Sequence, residues 1–369
     1  MEDNLFLLLR IGLETEQPYE EALRRLADLS AEQWGNLREM AERQGVSAIV
    51  LDGLNALCQR YDQRLVSPSF SPKMWKRFLV EWMGRLLNTE QKNIQQRYVM
   101  DDLAKKWTKA GCAIMVMKGQ ANAFFYPSPL HRSMGDIDCY LFENYAKGND
   151  IARELGADVD ESWYKHSVIK YRGETFENHQ YFVTTRSGKE GKLLNKELVE
   201  ELLISGKDGL EHLTEWTLLP PVQWTAMFLT YHACSHFISE GLRLKQLLDW
   251  ALFLKKYQND VDWPKFYAFC ERHHLSRFAD VSTTIAKDCI GVLITNNQIR
   301  TDNTFIERVL HSVFYDDDFV FGSGKGNWHN RFHLVKNLWT YRWKYRDIYQ
   351  MSPLRKLWYY ATGYIFRTE

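Results

Sequence analysis

Two aspartates separated by one residue are the strongest chemical signal in this sequence. Asp136 and Asp138 lie in the segment Gly135-Asp136-Ile137-Asp138, which has the pattern of a strand. Side chains alternate along a strand, so both carboxylates point to one face, about 7 Å apart. They repel each other unless a cation lies between them, and Mg²⁺ or Mn²⁺ with a substrate phosphate suits such oxygen ligands. The alternative is an exposed strand edge with two solvated acids.

A third acid, Glu177, lies in the later strand segment FENHQYF. Alternation places it on the same face as His179 and Tyr181. Because neighbouring strands of one sheet can bring Glu177 beside the aspartate pair, three carboxylates could meet, as a two-metal nucleotidyl transfer site requires. We therefore predict Asp136, Asp138 and Glu177 as catalytic, metal-binding residues. A surface glutamate on a hairpin is the alternative for Glu177.

Two cationic positions precede the aspartates. Lys118-Gly119 follows the apolar run Ala113–Met117 and opens a short helical segment, where backbone amides attract phosphate and glycine allows close approach. Arg132 could contact phosphate with two hydrogen bonds, or pair with the aspartates instead. The predicted nucleotide-binding residues are Lys118, Gly119, Arg132 and Gly135.

A later helical segment carries further polar candidates. His232 and His236 are four residues apart on one helix face, a spacing that can hold zinc, but Ala233 stands where an HExxH motif has glutamate. Polar packing or substrate contact is therefore favoured over zinc. The candidate substrate contacts are His179, His232, His236, Arg243 and Asp249, of which the last two could brace the site from the C-terminal region.

These residues together resemble an uncharacterised bacterial nucleotidyltransferase family of the DNA polymerase β-like nucleotidyltransferase superfamily. The segment MVMKGQANAFFYPSPLHRSMGDIDCYL is similar to the KG…Y…R…GDID block of that family. Glu177 and His179 match its Glu-x-His strand motif, and YHACSHFISEGLRLKQLLDW matches its helical H…H…R…L…D block. The resemblance covers roughly residues 75–255.

The resemblance implies a metal-dependent transfer of a nucleoside monophosphate. The donor would be an NTP, with ATP favoured, the acceptor is unknown, and pyrophosphate would be released. Lys118-Gly119 stands where the superfamily has a Gly-Ser phosphate loop, but Gln120 follows here instead of serine, and the interval to Asp136 is longer than in most members. That departure motivates the alternative, a non-catalytic nucleotide-binding or regulatory module with the same fold.

The elements that must position these residues form an α+β chain. We expect a small mixed-sheet nucleotidyltransferase core at residues 111–215, flanked by helical regions at 1–110 and 216–369. In the core, Ala113–Met117 and the segment from Asp136 read as strands, and Ser167–Tyr171 with Thr175–Phe182 reads as a hairpin around Arg172-Gly173.

The N-terminal region shows helix signals. Ser30 and Gln33 match a capping box, Gly45 is a helix stop, and Ser71-Pro72 opens a long helix. The apolar residues of that helix are predicted to form one buried stripe. They are Trp75, Phe78, Leu79, Trp82, Met83, Leu86 and Leu87.

Composition excludes several classes of protein. The 369 residues are 45% hydrophobic and carry 47 basic and 47 acidic residues, which argues against disorder and against a global attraction for nucleic acid or membrane. Six cysteines without CxxC spacing indicate free thiols in a reducing compartment. Without a basic signal peptide or a long apolar run, we expect a cytoplasmic protein without a membrane partner. The oligomeric state is open.

The segment Gly324–Glu369 is locally basic. It holds nine basic and two acidic residues, with tryptophans interleaved, so RNA binding is an alternative function. An amphipathic helix that buries its tryptophans and solvates its basic residues is favoured. The nearby GSGKGN, from Gly322, lacks the spacing and the Ser or Thr of a P-loop, so it is not interpreted as one.

Overall fold

Helices and one mixed sheet build the described part of the chain, which confirms the predicted α+β class. The computed structural model describes residues 2–61, 69–185, 188–239, 241–316 and 339–352. The helices are α1 (Glu2–Gly12), α2 (Glu20–Ala27), α3 (Ala31–Arg43), α4 (Ser47–Arg60), α5 (Pro72–Lys109), α6 (Gln120–Ala123), α7 (Tyr145–Glu154), α8 (Lys189–Ser205), α9 (Val222–Ser239), α10 (Leu244–Tyr257), α11 (Trp263–Arg272), α12 (Ser276–Asp288) and α13 (Ile306–Tyr315). The strands are β1 (Met115–Val116), β2 (Ile137–Tyr140), β3 (Asp158–Asp160), β4 (His166–Tyr171) and β5 (Glu174–His179).

The helix signals of the N-terminal region are confirmed. The Ser30 hydroxyl accepts a hydrogen bond from the Gln33 amide at 3.1 Å, and the Gln33 side chain accepts one from the Ser30 amide at 2.7 Å. Gly45 follows α3 with φ of +69°, a left-handed conformation that glycine adopts without strain. The Ser71 hydroxyl caps α5 by accepting from the Met74 amide at 3.3 Å.

The buried stripe predicted on α5 is wrong at two positions. Trp75 and Trp82 are buried, but Met83 is 39% exposed and Leu87 is 54% exposed. Successive helix residues are turned by about 100°, so residues 83 and 87 lie well to the side of the line that contacts the neighbouring helices. The contact face is therefore narrower than the sequence pattern indicates.

The sheet has the strand order β1-β2-β5-β4-β3. Strands β2 and β5 are parallel, and every other neighbouring pair is antiparallel. The predicted hairpin is confirmed as β4–β5, which turns at Arg172 and Gly173 with φ of +50° and +84°. Positive φ at both central residues is typical of the two-residue hairpin turn.

One face of the sheet is apolar and the other is polar. Ile137, Ile169 and Phe176 pack against the C-terminal half of α5, where Trp107 is fully buried. The opposite face carries the site residues and looks towards α9 and α10. Described residues of the N- and C-terminal helical regions share a second hydrophobic core; the domain boundaries near 110 and 215 stay a prediction.

Three sequence expectations concern other properties. No helix within the described ranges is both long and apolar enough to cross a bilayer. All six cysteines are free thiols. Much of the basic C-terminal segment, and all of GSGKGN, lies outside the described residues; in the described part, Lys344 is buried and forms an ion pair with Asp316 at 3.0 Å.

Candidate active site

A cleft of about 550 Å³ opens between the polar face of the sheet and helices α9 and α10. Ten of the twelve predicted site residues line it. They are Lys118, Gly119, Arg132, Gly135, Asp136, Asp138, His232, His236, Arg243 and Asp249. Glu177 and His179 lie on β5, next to Asp138. The fold thus brings together residues from three separate segments of the sequence: 118–138, 177–179 and 232–249.

The three predicted acids form one cluster. Asp138 lies on β2 directly opposite Glu177 of β5 in the parallel register, and the exposed Asp136 directly precedes β2. Burial, together with the negative charges of Glu177 and Asp138, raises the pKa of Asp136. The Asp136 carboxyl therefore ionises less readily than a free aspartate, and a nearby positive charge would favour its ionised form.

Asp138 contacts one lysine and one histidine. Lys118 Nζ lies 3.1 Å from Oδ2, and His179 Nε2 lies 3.1 Å from Oδ1. Burial opposes ionisation of Asp138, but Lys118 and the His179 hydrogen bond outweigh it and hold the pKa of Asp138 well below its usual range. Asp138 is therefore a buried carboxylate whose charge depends on these two partners.

The two helix histidines extend this network. Lys118 Nζ lies 3.0 Å from His232 Nε2, and His236 Nε2 lies 3.2 Å from the same atom. Burial, reinforced by Lys118, lowers the pKa of His232 well below its usual range, so this ring is neutral and its Nε2 accepts from Lys118. An ammonium group thus already contacts the nitrogen that a zinc ion would need.

Arg132 and Asp249 form a buried ion pair, called the sealed pair below. The guanidinium donates to both carboxylate oxygens at 2.8 and 2.6 Å, and the carboxylate also accepts from Tyr126 and Asn122 at 2.8 and 2.9 Å. Burial opposes the charge of Arg132, but Asp249 outweighs it and raises the pKa of the guanidinium. Arg132 thus pairs with Asp249 and not with the aspartates of β2; its role in nucleotide binding stays a prediction.

The loop after β1 differs from a Gly-Ser loop in a specific way. Gly119 has φ of +67°, which favours glycine. Gln120 is buried and donates from Nε2 to Gln96 Oε1 at 3.0 Å, while Gln96 donates to the Gly135 carbonyl at 2.7 Å. Gln120 therefore turns away from the cleft and links the Lys118 loop to the aspartate loop through α5.

Comparison with known protein families identifies the family of this chain. The sequence model of a family described as uncharacterised nucleotidyltransferase matches residues 30–291, which include every residue of the cleft and of the acid cluster. The chain belongs to this nucleotidyltransferase family. Searches of the curated proteins and of the solved structures return no match.

The cleft of this family member also contains a lysine that the sequence analysis missed. Lys245 lies on α10, with Nζ 3.4 Å from the Ser133 carbonyl oxygen. Burial, assisted by the charge of Arg132, lowers the pKa of Lys245 to about 8. Its spacing of four residues from Asp249 places both on one helix face, which was the available signal.

A histidine of β4 was missed as well. His166 pairs with His179 across the hairpin, and ligand atoms of His166, Glu177 and His179 all lie within 4.8 Å of one another. The signal was the turn at residues 172–173. Counting outward from a two-residue turn pairs position 166 with position 179 and places both rings on one face.

Proposed function

We propose that this protein is a metal-dependent nucleotidyltransferase that moves a nucleoside monophosphate from an NTP, with ATP favoured, to an unidentified acceptor. The acceptor would offer a hydroxyl, phosphate or amine, and pyrophosphate would be released. The observation that carries the proposal is a cleft whose lining brings the carboxylates of Asp136 and Asp138 together with the cations Lys118, Lys245 and Arg243. The motif order supports a place in the bacterial branch of the DNA polymerase β-like superfamily.

The donor set fits a divalent cation such as Mg²⁺ or Mn²⁺. The pKa of Asp136 is raised by burial and by two neighbouring carboxylates, so the cluster offers hard oxygen ligands with unbalanced negative charge. Asp136 and Asp138 would hold the cation, with Glu177 as the third acid. Such a cation, when bound, neutralises phosphate charge and orients the triphosphate.

The protein would supply the remaining positive charge to the triphosphate, which carries about four negative charges. Lys118, Lys245 and Arg243 all line the cleft. Lys118 is held between Asp138 and His232, so its ammonium group is fixed in position before a ligand arrives. A pre-positioned charge costs little reorganisation when the nucleotide binds.

The proposed reaction is an in-line substitution at the α-phosphorus. The acceptor oxygen or nitrogen forms a bond to this phosphorus while the bond to the bridging oxygen breaks, and pyrophosphate leaves with the electron pair. The acceptor also loses a proton, and Glu177 would receive it. The contribution of the protein is mainly positioning and charge stabilisation.

Pyrophosphate release tests the proposal directly. The purified protein is incubated with each NTP, Mg²⁺ or Mn²⁺ and a metabolite extract, and products from labelled NTP are identified by mass spectrometry. We expect release by the native protein, almost none by Asp136→Asn, and native rates for Asp158→Asn, an exposed acid on β3. Equal turnover in the native protein and Asp136→Asn would overturn the proposal.

A second candidate is a nucleotide-binding module without catalysis. The observation that favours it is the Gln120 side chain, which contacts Gln96 and leaves no hydroxyl in the cleft at the position of the family-like phosphate loop. Tight NTP binding in calorimetry, combined with no pyrophosphate release for any nucleotide, metal or extract, would select this candidate.

A further inference from the structure

Two imidazole rings and a carboxylate meet on the hairpin β4–β5, beside the aspartate pair. His166 Nε2 lies 3.6 Å from Glu177 Oε1, and His179 Nε2 lies 3.4 Å from Glu177 Oε2. The two ring centroids are 5.0 Å apart. The rigid pairing of β4 with β5 holds all three side chains on one face of the sheet.

The hydrogen bonds of His179 define which ring nitrogen carries a proton. Nδ1 lies 3.1 Å from the Tyr181 carbonyl oxygen, which can only accept, so Nδ1 is the donor. The other ring nitrogen, Nε2, lies 3.1 Å from a carboxylate oxygen of Asp138 and 3.4 Å from one of Glu177. Nδ1 is thus occupied by the backbone, and Nε2 is the ring nitrogen that faces the carboxylates, where a proton or a metal cation can bridge the imidazole and the acids.

His166 has an unsatisfied nitrogen. Its Nδ1 is buried and has no hydrogen-bond partner among the described residues, and its Nε2 approaches Glu177 only at 3.6 Å. A buried imidazole without hydrogen bonds is unfavourable, and a bound cation would give one of its nitrogens a partner.

We propose that His166, Glu177 and His179 form a binding site for a divalent transition cation such as Zn²⁺ or Co²⁺. The site is separate from the oxygen ligands of Asp136 and extends the proposed function, because it assigns Glu177 as a metal ligand instead of a proton acceptor. Two imidazole nitrogens and one carboxylate are typical ligands of these metals and unsuited to Mg²⁺.

The surroundings of the cluster suit such a site. The Nδ1 hydrogen bond of His179 to the Tyr181 carbonyl is the outer-shell contact that usually orients a metal-binding histidine. His179 is almost fully buried, whereas the Glu177 side chain is 23% exposed and leaves a path for the cation from solvent. The cation should bind without nucleotide, because all three proposed ligands are side chains of the protein.

The test uses the full chain without a polyhistidine tag, stripped of metal and titrated with Co²⁺ in excess Mg²⁺ and without nucleotide. We expect one Co²⁺ to bind, with intensified visible absorption and paramagnetically shifted imidazole resonances from two histidines. His166→Gln should weaken binding at least about 100-fold, because loss of even an outer-shell partner costs about 10- to 100-fold. His311→Gln, an exposed histidine on α13, should bind as the native protein does.

The outcomes separate this site from the proposed function. The metal site is overturned if the native protein shows no shifted imidazole resonances, or if folded His166→Gln binds Co²⁺ as tightly as the native protein does. Neither result decides whether the protein releases pyrophosphate. Asp136→Asn should abolish pyrophosphate release and retain the Co²⁺ spectrum. Loss of that spectrum in Asp136→Asn would show that the bound ion is held by the aspartates, and would also overturn the assignment to His166 and His179.

Discussion

Two charged clusters line the same cleft and differ in how their charge is balanced. In the sealed pair, Arg132 and Asp249 satisfy each other with two hydrogen bonds, and both are almost fully buried. In the acid cluster, three carboxylates lie together, and burial with the charges of Glu177 and Asp138 raises the pKa of Asp136. The first cluster is complete without a ligand, whereas the second is stabilised by added cations.

Because the two clusters differ in charge balance, residues that are close in sequence have different expected roles. Arg132 and Asp136 are four residues apart, yet Arg132 joins the aspartate loop to α10, while Asp136 is exposed to the cleft. A completed buried ion pair contributes to structure and is costly to break. Unbalanced carboxylates at a cleft are typical of sites that bind metal and phosphate. The two clusters should therefore respond oppositely to substitution.

The largest expected effect is on catalysis in the acid cluster. Asp136→Asn should lower the rate of pyrophosphate release at least about 1000-fold, equivalent to about 4 kcal/mol of transition-state stabilisation. The same change should not destabilise the fold, because it removes repulsion from Glu177 and Asp138. Single-turnover rates and thermal unfolding measure both effects. If Asp136→Asn stays active, or if it unfolds, the acid cluster does not differ from the sealed pair in the way stated above.

The sealed pair should show the reverse behaviour. Asp249→Ala leaves the Arg132 charge buried without its partner and should lower the free energy of unfolding by about 3–5 kcal/mol. The double variant Arg132→Met, Asp249→Leu should recover most of this loss, since it removes both charges. Urea unfolding measures each variant beside Asp136→Asn. A loss below about 1 kcal/mol in Asp249→Ala would mean that the pair does not hold α10 against the core.

Local patterns explain which parts of the fold were predictable. The capping box at Ser30, the helix start at Ser71 and the hairpin at Arg172-Gly173 each depend on a few neighbouring residues, and all three are confirmed. The pairing of Arg132 with Asp249 joins residues 117 positions apart, so no local pattern contains it. It depends on how α10 packs against the core.

The candidate site was predictable to a similar degree. Alternation along a strand placed Asp136 and Asp138 together, and the same alternation in the later strand added Glu177, which lies opposite Asp138. His166 and Lys245 were missed because each joins the site only through its partner across a hairpin or along a helix. The catalytic roles of all these residues stay predictions.

A smaller effect is expected when a cation of the cleft is removed. Lys118→Ala should weaken ATP binding by about 10- to 100-fold and adenosine binding much less, because a charge-assisted contact is worth roughly 1.5–3 kcal/mol. Arg132→Ala should instead reduce stability. Calorimetric titration with ATP and adenosine separates the two. Equal losses for both ligands in Lys118→Ala would mean that Lys118 stabilises the fold and does not contact phosphate.

The smallest effect should appear as a pH dependence. The pKa of Lys245 is lowered to about 8 by burial, with a contribution from Arg132, so the side chain is mostly an ammonium at pH 7 and mostly an amine at pH 9. Only the ammonium attracts phosphate, and bound phosphate in turn favours the ammonium. ATP affinity should therefore fall as pH rises from 7 to 9, by less than about 10-fold.

Lys245→Arg tests the origin of that slope. Arginine keeps its charge throughout this pH range, so the variant should bind ATP with an affinity that is nearly constant from pH 7 to 9. Lys245→Met should also be flat, at the weaker affinity that the native protein reaches at pH 9. If both variants keep the native slope, another group titrates, and Lys245 then holds the cleft wall without contacting phosphate.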